Sequence, residues 1–175
     1  MRDLAFADLA RVAEIDRSEQ ISAIYVQRGE NLELVEGDYS SPAWEALGEG
    51  EHSIAQKRRD LEWHVSRGAV AIGAFAGERL AGIGVVLPGL RPGVAQLAWL
   101  HVTRAHRARG VGRRLAAALE AVAWERGDRE MVVSATRSRN TVDFYMGLGF
   151  RPMTNPLPEL FELEPEDIHM SKTLE

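Results

Sequence analysis

The segment RAHRARGVGRRL, from Arg104 to Leu115, holds five arginines and two glycines in a chain whose formal net charge is −5. An apolar stretch, VAQLAWLHV (94–102), precedes it and predicts a strand, and the pattern that follows predicts an amphipathic helix over 110–127. A helix start presents free N–H groups and the positive end of its dipole, and glycines let a ligand approach the backbone closely. This strand-loop-helix unit therefore predicts a site for a phosphate-bearing ligand on the first turn of the helix.

A solvated basic helix face is the alternative explanation for the same residues. Arginines in a first turn oppose the helix dipole, and this mild cost favours a bound anion. Two common phosphate-binding patterns are missing, however. No Lys-Ser or Lys-Thr follows a glycine here, as a GxxxxGK[ST] loop requires, and Leu115 stands at the last position of a GxGxxG pattern. The residues by themselves leave both explanations open.

Length and composition define the broad class of protein. The 175 residues, 45% hydrophobic and 27% charged, are expected to form one globular domain over 1–175. We expect a cytoplasmic protein without a membrane partner, because the sequence shows neither a signal peptide nor an apolar run approaching the roughly 20 residues that span a bilayer. The absence of cysteine excludes thiolate sites, and the five histidines lack metal-binding spacing, so no metal is expected. The acidic balance argues against nucleic acid as a partner.

The rest of the chain predicts a mixed α/β arrangement without repeats or linkers. The predicted elements are a helix near 7–17, a hairpin around Arg28-Gly29 within 21–52, a helix from Ser53 to Gly68, antiparallel strands at 69–75 and 80–87, a loop at 88–93, a strand at 131–136, a helix near 139–147 and a last strand at 167–174. Glycines at 73, 82 and 84 within strands predict close backbone approach or bulges.

Two motifs in this order resemble those of the GNAT N-acetyltransferase family. Arg107 to Gly112 fits R/Q-x-x-G-x-G/A, the acetyl-CoA pyrophosphate signature of that family, and VDFYMGLGFRP (142–152) resembles its helix that ends in a tyrosine before a Gly-Phe turn. The resemblance covers 69–152 well and the two ends more loosely. It implies an acyl-CoA N-acyltransferase fold, with a mixed central sheet of about six to seven strands that is splayed at the motif strand (94–102) and flanked by helices.

The resemblance also implies how acetyl-CoA binds. In the family, the gap beside the motif strand holds the pantetheine arm, so the backbone of Leu100, His101 and Val102 would bond its amides and the thioester carbonyl. The pyrophosphate would lie on the N–H groups of one loop, namely Arg107, Ala108, Arg109, Gly110, Val111 and Gly112. Many members carry an asparagine seven residues before the tyrosine, where this chain has Ser138. Asn140 is nearby, and either side chain could bond the pantetheine or cap the helix.

Catalytic roles follow from the resemblance only in part. Tyr145 matches the family tyrosine that protonates the leaving CoA thiolate. A catalytic glutamate often lies on the motif strand or the next one, where this chain offers only Gln96 and Ser134. The candidates for a base elsewhere are His101, His64, Glu33, Glu36 and Asp38. Strand alternation places Leu97, Trp99 and His101 on one face, opposite Gln96, Ala98, Leu100 and Val102. His101 could relay a proton if the acceptor lies on its face, although a strand histidine is more often only a packed residue.

The sequence therefore predicts an enzyme that moves an acetyl group from acetyl-CoA to a primary amine of a small molecule, peptide or protein. A non-catalytic acyl-CoA sensor of the same fold is the alternative, since the glutamate base is missing. Two clusters of acidic residues could attract a cationic amine or be merely solvated. One cluster lies in segment 30–51 and contains Glu30, Glu33, Glu36, Asp38, Glu45, Glu49 and Glu51. The other lies near the C-terminus and contains Glu159, Glu162, Glu164, Glu166 and Asp167. The hairpin region 21–52 is interpreted as a variable insertion on the acceptor side, and the last strand is compatible with a homodimer.

Overall fold

The computed structural model describes residues 1–29 and 31–175, so Glu30 of the acidic segment lies outside the described residues. The strands are β1 (Arg2–Asp3), β2 (Glu19–Arg28), β3 (Asn31–Ser41), β4 (Val70–Ala76), β5 (Arg79–Arg91), β6 (Val94–Val102), β7 (Glu130–Ala135), β8 (Arg151–Pro152) and β9 (Ile168–Thr173). The α-helices are α1 (Ile54–Ser66), α2 (Val111–Glu125), α3 (Arg139–Met146) and α4 (Pro158–Phe161), with 3-10 helices at Phe6–Glu14 and Arg104–His106.

Seven strands form one mixed sheet in the order β1-β4-β5-β6-β7-β9-β8, and β2 and β3 form a separate antiparallel hairpin. Among the described strands of this sheet, β6 and β7 run parallel to each other and the other neighbouring pairs are antiparallel. The fold class expected from the sequence is therefore confirmed. β9 pairs with β7 along its length and with β8 at Met170 and Ser171. None of the described helices is long and apolar enough to cross a bilayer.

The sheet is splayed at the motif strand. β6 pairs with β7 only over 94–96, opposite 130–132. Beyond that point β6 stays paired with β5 as far as Val102, while β7 stays paired with β9 as far as Ala135. The carboxyl-terminal halves of β6 and β7 thus border a gap, which we call the β6–β7 gap.

A β-bulge in β6 changes which of its residues share a face. Val85 lies opposite Trp99, but Val86 lies opposite Leu97, so Ala98 is an extra residue on β6. The simple alternation predicted from the sequence is therefore wrong for Leu97. It packs in the core beneath α2, whereas Trp99 packs against the core on the opposite side of the sheet.

Two apolar cores cover the two faces of the sheet. The first packs α2 and α3 on the sheet, and the second packs the Phe6–Glu14 helix and α1 on the other face. Gly82 and Gly84 of β5 make room for α2: a Cβ atom at Gly84 would lie 2.6 Å from a methyl group of Leu119, and one at Gly82 would lie 3.0 Å from a methyl group of Leu115. The close backbone approach predicted from these glycines is confirmed.

Two predicted segments differ from the structure. β5 continues to Arg91, which lies opposite Val94, so most of the expected loop at 88–93 is strand. Asp128, buried at the end of the α2 unit, accepts a 3.0 Å hydrogen bond from the Gly89 N–H and helps to hold this extension. The helix expected near 7–17 is a 3-10 helix that ends at Glu14, because Ile15 adopts an extended conformation.

Candidate active site

The loop between β6 and α2 is shaped to expose its backbone N–H groups. Ala108 and Gly110 both have positive φ, at 56° and 75°. The first backbone hydrogen bond into α2 runs from the Arg114 N–H to the Gly110 carbonyl, 3.1 Å away. The N–H groups of Val111 and Gly112 precede that bond and have no acceptor within the helix. Together with the helix dipole, they form a cradle that suits a pyrophosphate.

The strain at Ala108 is part of this cradle. A non-glycine residue rarely adopts positive φ, and such residues persist where the surrounding structure imposes them. Here the imposing residue is Arg107. Its guanidinium donates to the carbonyl oxygens of Val102 (3.1 Å), Ser18 (3.1 Å) and Arg17 (2.7 Å). The side chain of Arg107 therefore ties the loop to β6 and to the segment before β2, while Ala108 and Arg109 face solvent.

The other arginines of the segment divide between anchoring and exposure. Arg113 donates to the carbonyl of Gly147 at 3.1 Å and links α2 to the end of α3. Arg109 and Arg114 are exposed beside the exposed cradle residue Gly110. They can add positive charge for phosphate oxygens without being held in one position.

The predicted pantetheine contacts lie along the β6–β7 gap. Leu100, His101 and Val102 all follow the last residue of β6 that pairs with β7, and they face Gly84, Ile83 and Gly82 of β5 on their other side. In an antiparallel strand, alternate residues direct their N–H and C=O groups away from the partner. The Thr103 N–H donates to the Ala81 carbonyl, so His101 directs its own groups towards Ile83 of β5, whereas Leu100 and Val102 direct theirs towards the gap. The Val102 carbonyl accepts from Arg107, which leaves both Leu100 groups and the Val102 N–H to fit the amides of a pantetheine arm.

Tyr145, on α3, lies in the hydrophobic core of the protein as a protonated phenol. It is buried and packs edge-on against Phe144 and Phe150, with ring centroids 5.3 and 5.5 Å away. Burial raises the pKa of its hydroxyl well above the ordinary value, and the negative charges of Asp167 and Glu164 raise it further. The group is therefore a neutral proton donor throughout the physiological range.

Strand β2 crosses the carboxyl-terminal end of the β6–β7 gap. The Glu19 carboxylate accepts a 2.6 Å hydrogen bond from Asn140 of α3 and lies 3.6 Å from the guanidinium of Arg107. Farther along, the Tyr25 N–H donates to the Arg137 carbonyl at 2.8 Å. The hairpin predicted within 21–52 is confirmed, and these contacts dock it on the site rather than leaving it as a free arm.

Ser138 and Asn140 have protein partners for their side chains. Ser138 is buried and is the N-cap of α3, since its hydroxyl oxygen accepts from the Thr141 N–H at 3.3 Å. Asn140 is held by Glu19 as described above. Of the two alternatives left by the sequence, Ser138 takes the capping role.

His101 belongs to an aromatic cluster on the face of β6 that points away from α2. Its ring lies 5.2 Å from that of Trp44 and 5.3 Å from that of Trp99, measured between centroids. Burial lowers its pKa to about 4, and the charges of Arg17, Arg107 and Lys57 contribute in the same direction. At neutral pH His101 is an uncharged ring among cations.

The other predicted bases are spread over the fold. His64 lies on α1, where its Nδ1 is buried with no hydrogen-bond partner among the described residues. The side chains of Glu33, Glu36 and Asp38 are exposed on β3, and Glu33 pairs with Arg28 at 2.9 Å. Within residues 1–29 and 31–175, no group of His, Asp or Glu side chains is arranged to hold a metal ion.

One acidic residue stands out that the sequence did not single out. Asp167, just before β9, is partly buried and lines a cavity of about 340 Å³ together with residues of β2 and α4. Burial raises its pKa to about 7, with Glu164 adding to the effect. The acidic C-terminal pattern marked the region, but only the tertiary structure distinguishes this carboxyl from its exposed neighbours.

Comparisons with known proteins agree with this geometry. Residues 34–150, more than half of the chain, match the family described as "Acetyltransferase (GNAT) family". No curated protein matches the chain in sequence. Solved structures that resemble it include nourseothricin acetyltransferase, with a TM-score of 0.75 at 17% identity over 99% of this chain and 97% of that one.

Two further similar structures contain coenzyme A. The PaiA N-acetyltransferase of Thermoplasma acidophilum has a TM-score of 0.64 at 18% identity over 98% of this chain and 96% of that one. An aminoglycoside 6'-N-acetyltransferase has a TM-score of 0.57 at 20% identity over 68% of this chain and 80% of that one. Identities this low show a shared fold alone. The family match and the shared fold, with its splayed sheet, show that the chain belongs to the GNAT acetyltransferase family.

Proposed function

We propose that this protein is an enzyme that transfers the acetyl group of acetyl-CoA to a primary amine. The observation that carries the proposal is the combination of the N–H groups of Val111 and Gly112, which have no acceptor within α2, with the buried, protonated Tyr145 of α3. The first feature suits the pyrophosphate of the donor, and the second suits protonation of a departing thiolate.

Each part of the chain has a role in this proposal. The cradle from Ala108 to Gly112 holds the pyrophosphate, and the backbone of Leu100 and Val102, the residues on either side of His101, holds the pantetheine. Tyr145 donates a proton to the sulfur, and Ser138 and Asn140 border the pantetheine from α3. The whole of 1–175 acts as one domain, because the central sheet contains both the first strand of the chain, β1, and the last, β9.

The acceptor is a cationic amine in this proposal. Two of the similar structures are named for acetylation of nourseothricin and of aminoglycosides, both of which carry amines. The acidic residues near the C-terminus would favour such cations through long-range attraction. Cationic amines are therefore the first compounds to test as acceptors.

Two measurements test the proposal. Isothermal titration should show binding of acetyl-CoA at micromolar concentration, and a thiol-release assay with acetyl-CoA should respond to at least one amine. The panel should contain nourseothricin, an aminoglycoside, spermidine, free amino acids and a peptide with a free N-terminus. Absence of acetyl-CoA binding at high micromolar concentration would refute the proposal. Binding without thiol release from any amine would instead favour the acyl-CoA sensor.

A further inference from the structure

A cavity of about 340 Å³ lies at the carboxyl-terminal end of β7, between strand β2 and the segment that leads into β9. Its lining includes Tyr25 of β2, Arg137 after β7, Phe161 of α4, and Asp167 and His169 at the start of β9. Aromatic rings and a carboxyl group together offer a surface for an organic cation.

The cavity lies beside the same face of the sheet as His101. His169 pairs with Ser134 across β7 and β9, and its Nδ1 lies 3.2 Å from the Ser134 hydroxyl oxygen. Paired residues share a face, and residues two apart on a strand do as well, so Ser134 lies on the face of Val132 and of its partner Gln96. This is the face away from α2. A molecule in the cavity thus lies on the side of the sheet opposite the α2–α3 layer, at the carboxyl-terminal end of β7.

The electrostatic surroundings of Asp167 are mainly negative. Glu164 and Glu166 flank it in the turn before β9, Arg137 opposes them from the end of β7, and Tyr145 lies within their electrostatic reach on α3. Arg137 is engaged by Glu166 at 3.0 Å. His169, whose Nε2 is 3.1 Å from the Glu164 carbonyl oxygen, and Tyr25 complete the titratable lining.

The Asp167 carboxyl has a pKa of about 7, which suits proton transfer near neutrality. An alkylammonium has a pKa of about 10, so a carboxylate of ordinary acidity is too weak a base to take its proton efficiently. The raised pKa of Asp167 reduces the difference between the ammonium pKa and the carboxyl pKa by about half. His101, by contrast, is held neutral by burial beside Arg17, Lys57 and Arg107, cations that would repel an ammonium group.

We propose that this cavity binds the ammonium group of the acceptor and that Asp167 is the base that removes its proton. The inference rests on the proposed acetyl transfer. In the step, an N–H bond of the ammonium breaks, the proton forms an O–H bond on the Asp167 carboxylate, and the electron pair stays on nitrogen as the nucleophile. Asp167 then returns the proton to water. No other reactant is needed.

The decisive variant is Asp167→Asn, compared with Glu125→Gln, an exposed carboxylate on α2 outside the cavity. With an amine that the wild type acetylates, kcat/KM of the wild type should rise with pH through about 7 and then level. Asp167→Asn should lose about 10²- to 10⁴-fold at pH 7.5 and lack that rise. Its activity should recover towards pH 10, where the amine is already deprotonated in solution. Glu125→Gln should match the wild type.

A second variant separates a catalytic from a merely structural role. Glu164→Gln removes a negative charge that holds the Asp167 pKa up, so the pH at which activity rises should move lower while the plateau is retained. Asp167→Asn with activity within twofold of the wild type, or with an unchanged pH profile, would overturn the assignment. A Glu164→Gln variant whose kcat/KM rises at the same pH as that of the wild type would also overturn the assignment.

Binding without turnover distinguishes failure of this inference from failure of the proposed function. Spermidine is the probe, titrated at pH 8 without acetyl-CoA and followed by nuclear magnetic resonance shifts of the protein. We expect Asp167→Asn to bind it at least severalfold more weakly than the wild type and Glu125→Gln to bind it equally. Equal affinity in all three, or no binding at millimolar spermidine, would overturn the cavity as an ammonium site. Loss of acetyl-CoA binding in the wild type would refute the proposed function instead.

Discussion

The guanidinium of Arg107 donates a 2.7 Å hydrogen bond to the backbone carbonyl of Arg17, ninety residues earlier in the chain. This bond points the side chain away from the cradle, and the Arg107 N–H, predicted to bind pyrophosphate, instead donates to the Arg104 carbonyl at 3.3 Å. The positive charge of the motif is thus used in two ways: Arg107 shapes the loop, and exposed arginines such as Arg109 face solvent beside it.

Replacing Arg107 and Arg109 by alanine should therefore have different consequences. Arg107→Ala removes three bonds to carbonyl oxygens and should lower the free energy of unfolding by about 2–4 kcal/mol. Arg109→Ala should stay within about 0.5 kcal/mol of the wild type. It should instead weaken acetyl-CoA binding severalfold at low salt and less at high salt. Urea unfolding and calorimetric titration check the pair, and equal loss of stability in both variants would contradict the division of roles.

Gly84 controls the distance between α2 and the sheet. An added Cβ atom would lie 2.6 Å from a methyl group of Leu119, so Gly84→Ala should destabilise the protein by about 1–3 kcal/mol. At Gly50 nothing lies within 4 Å of the added atom, and Gly50→Ala should change stability by less than about 0.5 kcal/mol. Combining Gly84→Ala with Leu119→Val should cost less than the two separate losses together, because the shorter side chain relieves the contact. Additive losses would show that this contact is not the cause.

Tyr145→Phe tests the proton donor without disturbing the core. The hydroxyl is lost and the packing of the ring against Phe144 and Phe150 is kept, so the melting temperature should be unchanged or higher. We expect kcat to fall about 10²- to 10⁴-fold with acetyl-CoA affinity unchanged. Tyr39→Phe, on the exposed hairpin strand β3, is the matched control and should retain full turnover. Unimpaired turnover of Tyr145→Phe would remove the phenol from the mechanism.

Local features of the site followed from the sequence, whereas long-range ones did not. The strand before Arg107, the glycine turn and the helix after it are set by neighbouring residues, as is the N-cap at Ser138. The bulge at Ala98 depends on how β6 registers against β5, and no pattern within β6 reveals it. It moved Leu97 to the α2 face of the sheet.

The acceptor side was harder to predict because its contacts join residues that lie far apart in the sequence. Glu19 reaches Arg107 and Asn140 across more than eighty residues of sequence. Asp167 is partly buried whereas Glu162 and Glu166 are exposed, and that burial depends on where β2 and α4 fold against it. A cluster of carboxylates in sequence marks charge, and only packing selects the one whose pKa is raised.

His101 supplies a prediction about acid stability. Its pKa in the folded protein is about 4, below the ordinary value of 6.5. Between pH 4 and pH 6.5 the imidazole is therefore protonated in the unfolded chain and neutral in the folded protein. Stability from this group is therefore complete above pH 6.5 and is lost as the pH falls towards 4. The wild type should lose about 1–2 kcal/mol from this source between pH 7 and 5, and His101→Gln should not.

Denaturant unfolding at pH 7, 6 and 5 measures this loss, with His52→Gln, an exposed histidine, as the control. The control should lose stability in parallel with the wild type, since its ring is solvated. The same pKa means that His101 does not change charge near neutrality, so His101→Gln should keep the rise of kcat/KM through pH 7 even if its rate is lower. A rise that disappears in His101→Gln would make the imidazole, rather than the Asp167 carboxyl, the group that titrates there.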